Sequence, residues 1–95
     1  MEEEYDVESL SFGIQLYKES AEHNVFMLSK YRDALIFEED TEVFEDTINY
    51  LKNDLKTMGI DNFQFDNPDY VLGLHHAYAM IVDSLNGELE VYKHD

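Results

Sequence analysis

From Thr41 to Gly59 the apolar residues Phe44, Ile48, Leu51, Leu55 and Met58 recur at i, i+4, i+7, i+11 and i+14. That spacing puts them on one face of an α-helix and on no single face of a strand. Asp40 or Thr41 is placed to cap the N-terminus, and Gly59 stands where a left-handed C′ residue favours glycine. Any fold of this chain has to give that helix an apolar surface to lie on.

The rest of the sequence predicts mixed elements. Asn67-Pro68-Asp69 has the form of a second helix start, a cap followed by Pro at N1 and an acid in the first turn. Val71, Leu74, Tyr78, Ile81 and Leu85 supply its stripe, and Asn86-Gly87 is expected to end it. A competing reading makes Asn86-Gly87 a hairpin turn between strands 79–85 and 88–93. Leu10, Phe12, Ile14 and Leu16 alternate with small or polar residues, the period of a half-buried strand. Leu89 and Val91 alternate with Glu88, Glu90 and Tyr92 as a last strand. Residues 24–38 read as a hairpin around Ser29–Asp33, with one amphipathic helix as the alternative. The expected fold is therefore α+β, an antiparallel sheet with about two helices packed on one face. One domain spans residues 1–95, and Met1–Asp6 reads as an acidic tail open to fraying.

Composition narrows the functions. The chain carries 22 acids against 6 bases, a net charge of −16 over 95 residues. At 44% hydrophobic and 14% aromatic it still has material for a core, which argues against full disorder. The charge excludes direct attraction to nucleic acid and polybasic attachment to anionic membranes. Without cysteine there is no disulfide framework and no thiolate nucleophile or metal ligand. The opening Met1-Glu2-Glu3-Glu4 is the reverse of a basic leader, so a cytoplasmic location is expected.

Chemistry-bearing patterns are sparse. His75 and His76 are adjacent, so they diverge on a helix or a strand and cannot chelate a metal alone. Calcium loops starting at Asp54, Asp61 or Glu38 fail, with Lys56 or Phe63 at the third position or Val43 at the sixth. There is no phosphate-cradling glycine loop, nucleophile elbow or HExxH motif. With so many acids some carboxylate pair always falls at a suitable spacing, so pairs carry no signal. No catalytic residue, metal or cofactor is expected, and the chain is not read as an enzyme.

The acids themselves are the informative feature. A net charge of magnitude about 2–8 keeps a small domain soluble, and this chain carries twice the upper figure. Glu38, Glu39, Asp40, Glu42, Glu45 and Asp46 crowd the start of the first predicted helix, away from the Phe44 stripe. None has Lys or Arg three or four positions later, while Glu38–Glu42 and Glu42–Asp46 are like-charge neighbours on a helix. A helix dipole rewards one or two such acids; six without internal cations point to cations on another molecule. Glu2, Glu4, Asp6 and Glu8 form a second run. If extended, alternate carboxylates stand ~6.6 Å apart, of the order of the phosphate repeat of DNA. Glu88 and Glu90 extend the surface, and Tyr5 or Tyr31 would add apolar anchors.

A small, cysteine-free, strongly acidic α+β chain resembles the DNA-mimic inhibitors of bacteriophages and some bacteria. That resemblance implies a phage host-takeover protein, similar to the acidic antagonists of the nucleoid protein HU in Bacillus phages. It implies an inhibitor that occupies the basic DNA-binding surface of HU, a nuclease, a polymerase or a restriction factor and excludes DNA. Mimics share no common fold, so it assigns no residue. The alternative is an immunity-type or regulatory adaptor that binds one basic protein without imitating DNA. With 6 Phe and 7 Tyr, the chain also leaves room for a homodimer through an uncovered apolar face.

Overall fold

The computed structural model describes residues 6–93. The chain forms α1 (Val7–Ile36), a 3-10 turn (Glu42–Phe44), α2 (Glu45–Thr57) and α3 (Pro68–Lys93). Among the described residues there is no strand, so the fold is all-α and the expected antiparallel sheet is corrected.

α1 replaces both the predicted first strand and the predicted hairpin. Asp6 caps it, its carboxylate accepting from the Ser9 backbone N–H at 3.3 Å and the Ser9 hydroxyl at 2.8 Å. These bonds hold the Asp6 carboxyl below its usual pKa. Asp6 is thus part of the helix start, not of a frayed tail. Side chains four apart add support, Gln15 to Glu19 at 3.0 Å and Lys18 to Glu22 at 3.7 Å. The alternation of residues 10–16 arose because Phe12 and Leu16, 63% and 51% exposed, are surplus apolar residues on the outside of the helix.

α1 and α3 form a long antiparallel hairpin. At one end the Tyr31 hydroxyl donates to the Phe65 carbonyl at 2.6 Å and Arg32 Nε donates to the Pro68 carbonyl at 3.0 Å. At the other, Leu89 and Tyr92 share a groove with Ser11, Phe12 and Gln15. α3 begins as its sequence predicts, with Asn67 Oδ1 accepting from the Asp69 N–H at 2.9 Å. It does not end at Asn86-Gly87. Leu89 is buried, continuing the Val71–Tyr78–Leu85 face, so the predicted last strand is the final turns of α3.

α2 lies across one half of this hairpin. Leu28 of α1, Leu51 of α2 and Val71 of α3 are the most deeply buried large side chains, one from each helix. The Tyr31 and Phe44 rings meet edge to face at 5.6 Å, as do Phe65 and Tyr70 at 5.4 Å. The Tyr78 hydroxyl donates to Asp54 Oδ2 at 2.7 Å, tying α3 to the end of α2. Burial, and then that carboxylate, push the Tyr78 phenol well above its usual pKa. Of the predicted α2 stripe, Phe44, Ile48, Leu51 and Leu55 are buried; Met58 falls past the helix end and is exposed.

At about 1.5 Å per residue α1 is ~45 Å long and α2 only ~20 Å. The body is accordingly elongated, 55 × 25 × 20 Å, with a covered half and a two-helix arm.

Candidate functional site: the acidic α1–α2 junction

α1 stops and α2 starts through a tight acidic connection. The Glu39 N–H donates to the Ala34 carbonyl at 2.8 Å and the Glu38 N–H to the Leu35 carbonyl at 3.3 Å. This is the Schellman pattern, which turns on a left-handed C′ residue, and here that residue is Glu38 at φ 55°. α2 ends with the same pair of bonds, Ile60 to Leu55 and Gly59 to Lys56, around Gly59 at φ 84°. At the acidic turn a glutamate holds the position that glycine holds at the other. Asp40 follows, its carboxylate accepting from the Glu42 N–H at 2.9 Å and starting the 3-10 turn. The predicted cap at Asp40 is therefore a cap of the 3-10 turn, while α2 itself starts after Phe44 with Glu45 and Asp46 in its first turn.

Glu38, Glu39, Asp40, Glu42, Glu45 and Asp46 are all exposed. The like-charge pair predicted from helical spacing at Glu38–Glu42 does not form as such, because Glu38–Thr41 lies outside both helices. Among the described residues none of the six has a Lys or Arg nitrogen within 4 Å, whereas Lys18 and Glu22 on α1 do pair. Lys30 lines a groove with Glu39 and Asp40, and Lys52 one with Asp40, Glu42 and Glu45, but both also lie over aromatic rings. Lys30 lies 5.0 Å from the Phe26 ring centroid, Lys52 lies 5.8 Å from that of Phe65, and Arg32 donates to Pro68. Such cation–ring contacts hold a charge in place without neutralising a carboxylate.

Two apolar residues stand among these acids, Phe37 at 69% and Val43 at 73% exposure. They line one shallow groove with Lys30, Asp33, Glu39 and Asp40. Neither was singled out from the sequence. Val43 carries a signal in retrospect, since it sits one position off the Phe44 stripe and so turns toward the acids. Phe37 does not, because its surroundings depend on where α1 stops.

Other predicted site residues are not brought to this surface. Tyr31, proposed as an exposed anchor, is buried and bonded to Phe65. Glu2, Glu4 and Tyr5 lie outside the described residues. Asp6 and Glu8 begin α1, so an extended comb through them is corrected: Asp6 faces Ser9 and Glu8 is helical. Glu88 and Glu90 belong to α3, not to a strand. At one end of α1 stand the six junction acids; at the other stand Asp6 and Glu8.

The described histidines offer no centre. The His75 and His76 rings stand 6.1 Å apart at 78°, and among the described residues no three His, Asp or Glu side chains converge as metal ligands. No helix among them is long and apolar enough to cross a membrane. Compared with protein-family models, with curated proteins and with solved structures, the chain matches none.

Proposed function

We propose that the chain is a DNA-mimic inhibitor whose acidic α1–α2 junction occupies the basic DNA-binding surface of another protein and keeps DNA off it. The observation that carries this reading is the set of six exposed carboxylates, none of which forms an ion pair within 4 Å although Lys30 and Lys52 line the same grooves. Phe37 and Val43 add apolar contact area that salt does not screen, which suits a protein partner. Long-range attraction would make association fast and weaken it as salt rises.

Competition tests the reading directly. Purified HU, a basic DNA-binding protein, is loaded with labelled duplex DNA and titrated with this chain while DNA anisotropy is followed. Displacement of DNA, lost at high salt, is the expected result. Charge reversal of Glu42, Glu45 and Asp46 to Lys is expected to weaken displacement ~100-fold or more, since like-charge juxtaposition across an interface costs several kcal/mol. These side chains are exposed, so the circular dichroism spectrum should not change. Binding that tolerates DNA on the same target would favour the adaptor, and equal binding by the triple variant would remove the junction as the site.

A further inference from the structure

Along α1, Val7, Leu10, Ile14, Tyr17, Ala21, Asn24, Leu28 and Tyr31 follow one another at alternating spacings of three and four, a heptad stripe. Its two halves differ in fate. Ala21, Asn24, Leu28 and Tyr31 are 2%, 5%, 0% and 8% exposed. Val7, Leu10 and Tyr17 are 42%, 38% and 54% exposed, although the spacing is unbroken. The stripe passes from covered to open between Ala21 and Tyr17. α2 is too short to reach further.

We propose that a second copy of this chain covers the open half, Val7, Leu10, Ile14 and Tyr17 of each protomer packing against those of the other. Charge selects this occupant. The chain carries −16, yet the outer flank of the open stripe is Ser9, Gly13, Leu16 and Ser20, without an acid. Glu8, Glu19 and Glu22 fall at least 100° around the helix from the centre of the stripe, and Asp6 at its end is turned back onto Ser9. A basic partner would be served by acids beside the apolar anchors. Two equally acidic copies meet best through a strip poor in acids, and on α1 this one carries only Asp6, at its end. Gly13 fits the same reading. It lies inside a helix, where glycine is disfavoured, and a Cβ there would meet nothing within 4 Å in this chain. That open space admits a neighbouring helix at close range. The paired arms would form a four-helix bundle in which each partner supplies the layer that α2 supplies elsewhere.

This surface is at the opposite end of α1 from the acidic junction, and the dimer does not depend on the DNA-mimic reading. Sedimentation equilibrium of the full chain over a hundredfold concentration range, at low and high NaCl, tests it. Two-chain mass at high concentration, falling to one on dilution, is expected. Association should tighten as salt rises, because salt screens the repulsion between acidic copies; binding through the junction should do the reverse. Leu10→Asp with Tyr17→Asp should weaken association at least tenfold with helicity retained. If those changes loosen α1, Gly13→Gln is the second variant, blocking close approach while favouring helix. Phe12→Ser is the control, since Phe12 is 63% exposed in the same arm but 200° around the helix from Leu10. A monomer at every concentration and salt overturns the proposal. So does a dimer that survives both stripe variants, or one that Phe12→Ser weakens equally.

Discussion

The two halves of the α1–α3 hairpin are built from the same helices and differ in what lies on top. In the covered half, α2 and its flanking loops close a third layer, and Leu28, Leu51 and Val71 are sealed between three helices. In the arm, α1 and α3 have only each other, and Leu10, Leu16, Tyr17, Met80 and Val91 remain exposed. Two helices bury one stripe each; a second apolar stripe needs a further layer. The amino-acid sequence does not mark this boundary, because the heptad stripe of α1 crosses it unchanged. The boundary is set by the length of α2.

The largest expected effect of that difference is on truncation. Leu51→Ala should cost ~2–5 kcal/mol, the range for emptying a packed core site. Leu16→Ala in the arm removes the same atoms from a half-exposed side chain and should stay within ~0.5 kcal/mol. Urea unfolding followed by circular dichroism measures both. Equal losses would mean that the arm is as well covered as the rest, and would break the comparison.

A smaller effect separates the halves by pH. Tyr31 and Tyr78, both in the covered half, have phenols raised above 10 by burial first, and then by the negative charge of Asp66 for Tyr31 and by the hydrogen bond to Asp54 and its charge for Tyr78. The unfolded chain ionises them near pH 10 while the folded chain keeps them neutral. Their stabilisation is therefore complete below pH 10 and falls as pH climbs beyond it, when the unfolded state has lost more protons. Tyr78→Phe should flatten part of that fall. It should also cost about 1.5 kcal/mol at neutral pH, the low end for a bond to a charged acceptor, since Asp54 is only half-buried. Unfolding curves between pH 8 and 11 decide this, and a Tyr78→Phe slope identical to that of the parent would refute it.

Legibility in the sequence follows the same division. α2 and the start of α3 are readable because their signals are local: a single stripe, a proline at N1, and a glycine at C′ with φ 84°. α1 reads as a strand in the sequence because exposed Phe12 and Leu16 overlay a period of two on the heptad stripe. The last turns of α3 read so in the same way, with exposed Val91 beside buried Leu89 imitating a strand. Surplus apolar residues belong to a helix that buries more than one face, and a single-window period cannot separate the faces. The acidic cluster at 38–46 was legible because it needs only composition and spacing. The left-handed Glu38, the protrusion of Phe37 and the diversion of Lys30 and Lys52 onto rings were not, since each depends on where two helices end and meet.

The smallest effect is also a change of sign between two glycines. Gly59 closes α2 in the left-handed region, where a Cβ is strained whatever the space around it. Gly59→Ala should destabilise by ~1 kcal/mol. Gly13 is helical in α1 and has open space where a Cβ would go. Gly13→Ala should therefore stabilise the dilute chain by ~0.5–1 kcal/mol, chiefly by restricting the unfolded state. If Gly13→Ala destabilises even where the chain is monomeric, the arm has an intramolecular contact at that position and is not open there. If it stabilises, the arm is open at Gly13, as the free space around a Cβ there requires, and the contrast with the covered half becomes sharper.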